Sequence, residues 1–287
     1  MKPDIECGFC TLRWVYERAL QEVGDKEAPQ LMRRIIGVLA SELSPTVNVG
    51  SLCNKTMFAV SEYALSDAGY YNEFKRKSNE YAKSFLPRAN DYINAGETPQ
   101  EMFERACYLA AAGNVSPMHG PSGEAYTFVE LVDLVEGRNV PVLMGDVYKA
   151  VQGASNILYV TDNAGEIGFD SLLIARLKDM GKKVTLVVKE GPFFDDATMK
   201  DALFFGLDKL VDNIAVAKGF TVPGESPPQV SQAFDQCDLV VSKGTGSYEG
   251  LHGELADKKA VYMLKVKCKP IVRELGMEEG NIIIKVE

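Results

Sequence analysis

No stretch of this 287-residue sequence approaches the roughly 18 consecutive apolar residues that a membrane-spanning helix requires. The first residues carry charges of both signs and lack the apolar segment of a secretory signal. Hydrophobic residues make up 46% of the chain and charged residues 25%, which is typical of globular proteins. We therefore expect a cytoplasmic protein without a membrane partner.

Basic residues are in short supply. The chain has 31 Lys and Arg against 40 Asp and Glu, for a net charge of −9. Because affinity for nucleic acid comes mainly from Lys and Arg, a nucleic-acid partner is not expected. A small anionic ligand remains compatible with this balance if positive charge is concentrated locally.

Closely spaced cysteines are also scarce, which argues against a disulfide framework. Of six cysteines only Cys7 and Cys10 are close in sequence. They form half of a zinc signature, but no second Cys-x-x-Cys or His pair follows. We favour two reduced thiols at the start of the first helix. Structural zinc and a redox pair stay open as alternatives.

The first half of the chain has almost no strand pattern and is predicted to be a helical domain, residues 1–150. Apolar residues at helical spacing predict two amphipathic helices, within residues 12–23 and 31–39. A capping sequence at Thr98 and Pro99 predicts a helix that ends near Gly113. Residues 128–135 and 145–151 are also predicted to be helical.

After residue 155 the sequence changes to short runs rich in β-branched residues. These predict buried strands at residues 157–160, 184–188, 239–241, 260–264 and 282–284. Helix-length segments, notably residues 167–180 and 226–236, separate them. This alternation predicts a doubly wound α/β/α domain with a mostly parallel sheet, residues 151–287.

Polar side chains follow the first two predicted strands, at the sheet edge where ligands of such folds collect. Asp162 and Asn163 come directly after the first strand. They suit a hard cation or an ordinary helix cap, and the sequence favours neither. Lys189, Asp195 and Asp196 follow the second strand. One of these two aspartates is expected to cap a helix that begins near residue 197.

A cationic glycine loop, Lys243-Gly244-Thr245-Gly246, follows the third predicted strand. Exposed backbone N–H groups at a helix start, together with a lysine, favour a phosphate. An ordinary tight turn is the alternative. Two acidic loops and one cationic loop at one edge are the combination that a divalent metal and a phosphate require.

These motifs resemble the damage-control phosphatases, the ARMT-like family of metal-dependent phosphatases, in the archaeal branch that carries an N-terminal Cys-x-x-Cys. The matching stretches are Cys7-Gly8-Phe9-Cys10, Ala112-Gly113-Asn114, Thr161-Asp162-Asn163-Ala164-Gly165-Glu166, Asp195-Asp196-Ala197-Thr198 and Lys243-Gly244-Thr245-Gly246-Ser247-Tyr248-Glu249. Their order and spacing extend over nearly the whole chain.

The resemblance implies a helical domain packed on an α/β/α domain, with catalytic groups at the carboxyl edge of the sheet. The metal would be bound by Asp162, Asn163 and Asp196, and Lys243 would take part in catalysis. The residues assigned to substrate binding are Glu166, Asn114, Lys189, Gly244 and Gly246. Asp195 is left as a helix cap or a neighbour of the metal ligands.

The function predicted from the sequence is a phosphatase that uses a divalent ion, Mg²⁺, Mn²⁺, Co²⁺ or Ni²⁺. Its substrates would be small phosphate esters, such as sugar phosphates or related metabolites. One alternative is a carboxyl methyltransferase that uses S-adenosylmethionine. Against it, residues 160–165 contain one glycine where a glycine-rich cofactor turn has three. The other alternative is a non-catalytic protein that binds sugar phosphates or nucleotides.

Overall fold

The computed structural model describes residues 1–64, 69–118, 120 and 123–287. Its helices are α1 (Cys7–Val23), α2 (Ala28–Glu42), α3 (Val49–Phe58), α4 (Ser61–Ala64), α5 (Tyr70–Asn94), α6 (Pro99–Ala112), α7 (Val129–Val135), α8 (Val147–Gln152), α9 (Glu166–Asp179), α10 (Met199–Phe204), α11 (Leu207–Leu210), α12 (Pro228–Gln236), α13 (Gly244–Leu251) and α14 (Lys269–Leu275). Its strands are β1 (Val142–Met144), β2 (Asn156–Val160), β3 (Lys183–Lys189), β4 (Asn213–Ala217), β5 (Leu239–Lys243), β6 (Lys259–Lys265) and β7 (Ile282–Val286).

The helix boundaries predicted from short local motifs are confirmed at α6. The Thr98 hydroxyl accepts a hydrogen bond from the Glu101 backbone N–H at 3.1 Å, and Pro99 is the first residue of α6. The helix ends at Ala112, with Gly113 next. A side-chain cap, a proline without an N–H and a terminal glycine are all signals that act within one turn.

Two strands, β1 and β4, were not predicted from the sequence, and they form the two edges of the sheet. β1 has three residues, and none of them is fully buried. β4 alternates partly buried and buried positions after an exposed first residue. Edge strands are covered less completely than central ones, so they lack the continuous apolar run that marked the other five strands.

The sheet has the order β1-β7-β6-β5-β2-β3-β4. Neighbouring strands are parallel except for the β6–β7 pair, which is antiparallel. The chain runs outward from β2 through β3 to β4 and then crosses to β5 on the other side of β2. In such sheets the crevice at this change of direction is where ligands bind. The predicted fold class, a mostly parallel α/β sheet with a helical part, is confirmed.

Helices cover both faces of the sheet. Ile157 and Tyr159 of β2 belong to one buried cluster, which also contains residues of α5, α6 and α9. Leu158 and Val160 belong to a second cluster, with residues of α3, α12, α13 and α14. Alternate residues of a strand point to opposite faces, so a solid apolar run such as residues 157–160 requires cover on both.

The helices of the first half and the sheet share a core. Phe103 and Leu109 of α6 lie in the same buried cluster as Ile157 of β2. β1, which precedes residue 150, pairs with β7. The sheet therefore begins before the boundary expected at residue 150, and the division into two domains stays a prediction. In the described part of the chain, no helix combines the length and the apolar character needed to cross a membrane.

Candidate active site

The loops after β2 and β3 are joined to each other by their backbones. β2 and β3 are neighbours in the sheet. Beyond their ends, Asn163 and Asp196 form an antiparallel bridge, and the Ala197 N–H donates to the Asp162 carbonyl oxygen at 2.8 Å. The connection brings the three side chains predicted as metal ligands, those of Asp162, Asn163 and Asp196, to one place.

These three residues line one open cleft. Each has a side-chain oxygen that accepts no hydrogen bond within the described residues: Asp162 Oδ1, Asn163 Oδ1 and Asp196 Oδ2. Such oxygens are the ligands that hard divalent cations prefer. No group of three or more His, Cys, Asp or Glu side chains in the described ranges is placed to hold a metal ion, so a site here depends on the Asn163 amide.

A hydrogen-bond network behind the cleft sets the orientation of these side chains. Asn114 Nδ2 donates to Asp162 Oδ2 at 2.7 Å and to Glu166 Oε2 at 3.0 Å. Asn163 Nδ2 donates to Glu166 Oε1 at 2.9 Å. Both oxygens of Glu166 are thereby used, and Asn163 retains a carbonyl oxygen without a donor. Asn114 and Glu166, predicted to bind substrate, therefore lie behind the cleft and support the residues that line it.

The alternative that Asp162 and Asn163 cap a helix is wrong. The helix that follows them, α9, has Gly165 at its N-cap and no side-chain cap. Gly165 has a φ of 79°, in the region that favours glycine. The side chains of Asp162 and Asn163 are therefore not used by the helix.

Asp195 does not cap a helix, and both of its carboxylate oxygens already accept hydrogen bonds. Helix α10 has Thr198 at its N-cap. Asp195 Oδ1 accepts from Arg18 NH1 at 2.5 Å, while its Oδ2 accepts from Ser116 Oγ at 2.9 Å and from the Tyr126 hydroxyl. Burial by itself raises the Asp195 pKa, but the Arg18 guanidinium and these donors leave it below its usual value.

Lys189 lies behind Asp196. Its Nζ is 3.2 Å from Asp196 Oδ2, without hydrogen-bond geometry. The same ammonium lies over the ring of Phe193 at 5.4 Å and that of Phe220 at 5.3 Å. Lys189 does not line the cleft. The structure thus places this predicted substrate-binding residue where it balances the charge of a predicted metal ligand.

Lys243 is fully buried and does not line the cleft either. Its Nζ donates to Asp170 Oδ1 at 2.8 Å, and the Tyr159 hydroxyl donates to the same oxygen at 2.8 Å. A direct contact between Lys243 and a phosphate stays a prediction. In the structure its charge acts through Asp170 and across a short distance on Asp162 and Glu166.

The two glycines of the third loop permit close approach. Gly244 has a φ of 77°, and a Cβ there would overlap the Asp162 carboxylate. A Cβ on Gly246, which lines the cleft, would overlap the Phe220 ring. Any larger residue at position 244 would displace Asp162, so the glycine is required by the site and not only by the turn.

Lys267, which was not predicted from the sequence, lines the cleft. It lies two residues beyond the end of β6, at the same carboxyl edge as the predicted residues. It forms no ion pair with any described residue. Its pKa is lowered by burial, an effect that Asp162 and Glu166 oppose. Its position after a predicted strand could have identified Lys267 from the sequence. No sequence pattern indicated that Arg18 and Trp14 of α1 would also line the cleft.

Several carboxyl groups in this region resist ionisation. Burial, and then the neighbouring Asp162, raise the pKa of Glu166 to about 8. Burial raises the pKa of Asp196 to about 7, although Lys189 opposes the shift. The Asp162 pKa is also raised by burial, against the attraction of Lys267 and Lys243. Three buried acids near one another hold their negative charges best when a further cation is present.

The chain is similar to known proteins over nearly its whole length. The damage-control phosphatase ARMT1-like domain matches residues 4–283. A damage-control phosphatase of Archaeoglobus fulgidus is 30% identical over 293 residues, covering 100% of this chain and 99% of that protein. One of Pyrococcus horikoshii is 27% identical over 294 residues, covering 99% and 97%.

A solved structure has the same fold. It is the crystal structure of a DUF89 family protein from Pyrococcus horikoshii, with a TM-score of 0.80 and 25% identity, and the match covers 99% of both chains. The family match covers nearly all of the present chain. The resemblance seen in the sequence motifs is confirmed: the chain belongs to the damage-control phosphatase ARMT1-like family.

Proposed function

We propose that this protein is a divalent-metal-dependent phosphatase that hydrolyses small phosphate esters. The observation that carries the proposal is that Asp162, Asn163 and Asp196 line one cleft at the switch point of the sheet, each with a side-chain oxygen that accepts no hydrogen bond within the described residues. Membership of a phosphatase family supports the reaction class.

The residues present fit a hard divalent ion. Two carboxylates and one amide oxygen suit Mg²⁺ or Mn²⁺, and Co²⁺ or Ni²⁺ also accept such ligands. Asp196 is preferred to Asp195 as the third ligand because both Asp195 oxygens are already bound by donors. When bound, the ion would polarise the phosphoryl group and neutralise its charge.

The remaining groups of the cleft provide for the phosphate. Lys267 is the lysine on the cleft that forms no ion pair with a described residue, and we assign it to the peripheral phosphate oxygens. Thr245 and Gly246 also line the cleft, in the first turn of α13. Backbone N–H groups there have no helical partner and favour an anion. The nucleophile is water or the Asp162 carboxylate.

The lining of the cleft suits a small phosphorylated metabolite, such as a sugar phosphate. Trp14 and Phe220 contribute aromatic surface to the same cleft as the residues assigned to the phosphate. Such rings pack against the apolar faces of a metabolite.

Phosphate release from a panel of esters, with and without metal, tests the proposal. Activity is expected to disappear with a chelator and to return with Mg²⁺, Mn²⁺, Co²⁺ or Ni²⁺. Asp162→Asn and Asp196→Ala should each abolish turnover without unfolding the protein. Asp162→Asn should leave the melting temperature close to that of the wild type, whereas Asp196→Ala should lower it because the buried Lys189 ammonium loses its carboxylate. Asp257→Asn, an exposed aspartate outside the cleft, is the control for the loss of one negative charge.

Three results would contradict the proposal. Full turnover in the presence of chelator would show that the reaction does not require a metal ion. Tight binding of phosphate esters without any release of orthophosphate would favour the non-catalytic alternative. Methyl transfer from S-adenosylmethionine to a carboxylate would instead support the methyltransferase.

A further inference from the structure

One wall of the cleft is lined by sulfur. Four of the six cysteines contribute to it, and we call them the thiol wall: Cys7, Cys10, Cys53 and Cys268. All are free thiols. The proposed phosphatase mechanism uses none of them.

The thiol wall is assembled from three parts of the chain. Cys7 and Cys10 are three residues apart on α1, so they share a helix face. Cys53 belongs to α3, and Cys268 is the N-cap of α14, just beyond β6. Two cysteines from distant positions in the chain therefore line the same cleft as the Cys7-x-x-Cys10 motif. Four thiols are the number that thiolate-bound metal centres commonly use.

Hydrogen bonds and backbone charge favour sulfur anions at this wall. The Asp4 backbone N–H donates to Cys7 Sγ at 3.2 Å, and the Thr11 hydroxyl lies 3.6 Å from Cys53 Sγ. Cys7 is also the first residue of a 17-residue helix, where the partial positive charge of the N-terminus favours a thiolate. Against this, burial raises the pKa of all four thiols, to about 11 for Cys7 and to about 12 for Cys10 and Cys268. A metal ion that replaces the thiol protons would stabilise the thiolates despite their burial.

Glu249 adds a carboxylate to the same region of the cleft. Its side chain forms no hydrogen bond to any residue that the structure describes. Burial raises its pKa to about 7, and the attraction of the Met1 ammonium opposes the shift. Four thiols and an unpartnered carboxylate thus lie together in a partly enclosed space, as expected of a site for a cation.

The spacing of the thiols bears on the kind of centre. In the described ranges no three such side chains are placed to share one ion. In an iron–sulfur cluster the thiolates bind different iron atoms, so they stand farther apart than around a single zinc ion. We propose that the thiol wall binds a thiolate-ligated metal centre, separate from the oxygen-ligand site, and that this centre is an iron–sulfur cluster, in which the thiolates need not share one ion.

Metal analysis of the full-length protein tests this inference. The protein is purified without oxygen and reconstituted either with Fe²⁺ and sulfide or with Zn²⁺, each thiol releasing its proton to solvent as the metal binds. Bound iron, acid-labile sulfide and zinc are then measured, together with the visible absorption. Stoichiometric metal is expected in the wild type, with at least a tenfold loss in Cys10→Ser and Cys268→Ser.

Two controls separate this centre from other effects. Cys237→Ser removes a buried thiol outside the cleft and should retain the metal. Asp196→Ala should also retain it, because the residue belongs to the oxygen-ligand site. Failure of the phosphatase proposal would therefore leave this result unchanged.

Each outcome decides the question. Iron with sulfide would support a cluster, and stoichiometric zinc would support a single-ion centre formed after side-chain rotation. A wild-type protein that binds neither would overturn the inference, even if the serine variants failed to fold. Equal metal contents in Cys268→Ser and Cys237→Ser would overturn it as well.

Discussion

Replacement of Gly244 by alanine should damage catalysis far more than folding. A Cβ at this position would overlap the Asp162 carboxylate, which is also held from the other side by Asn114. The carboxylate must move by about 1 Å to clear the methyl group, and a displacement of that size costs about 10²-fold in rate. We expect kcat/KM for phosphate-ester hydrolysis to fall by about that factor, with weaker metal binding.

Backbone strain is the competing explanation, and a matched variant isolates it. Gly253 has the same φ of 77° as Gly244, but a Cβ there would meet nothing within 4 Å. Both alanine variants therefore bear the cost of a left-handed conformation, about 1–2 kcal/mol. The loss of activity is expected in Gly244→Ala only.

The assay is phosphate release at saturating metal, combined with thermal unfolding of both variants. Similar melting temperatures with widely different kcat/KM values are the expected result. If Gly244→Ala were as active as Gly253→Ala, the close approach of Gly244 to Asp162 would have no role in catalysis. The reasoning about this loop would then be refuted.

Three further predictions follow from other contacts. Lys267→Ala should lower kcat/KM by about 10²–10³-fold. Lys269→Ala changes an exposed lysine two residues away and should leave kcat/KM unchanged. Equal kcat/KM values for the two variants would show that Lys267 has no role in the site. Asp195→Ala leaves a buried guanidinium unpaired and should lower the free energy of unfolding by about 3–5 kcal/mol in urea titrations; a loss below about 1 kcal/mol would contradict this. Burial raises the pKa of Asp196 to about 7 and that of Glu166 to about 8, so the metal-free folded state binds more protons than the unfolded chain from about pH 4 upward. Its melting temperature should therefore fall as the pH rises through this range, and added divalent metal should reduce the fall; a melting temperature independent of pH with chelator present would contradict the sign.

Much of the fold was predictable because its signals are local. The cap at Thr98 and the end of α6 at Gly113 depend on groups within one helical turn. The five predicted strands lie in the interior of the sheet or next to its edge, and their apolar runs reflect burial on both faces. β1 and β4 were missed because edge strands carry no such run. The sharing of one core by α6 and the sheet was beyond any local pattern.

The candidate site divides in the same way. Asp162, Asn163 and Asp196 were predicted because they follow strands at the carboxyl edge and match motifs of the family, and the pairing of β2 with β3 brings them together. Their donor-free oxygens, in contrast, depend on the network around Asn114 and Glu166. A sequence motif does not show which oxygen already has a hydrogen-bond donor.

The sequence by itself determined the fold class and the family, and it indicated the loops to which we assign the chemistry, because periodicity, caps and strand-end motifs depend on neighbouring residues. Only the tertiary structure decided which lysine faces the cleft, placing Lys267 there and burying Lys243 against Asp170. It also assembled the thiol wall from α1, α3 and the start of α14. Both outcomes depend on contacts between residues far apart in the chain, and these form only when the sheet and its helices pack together.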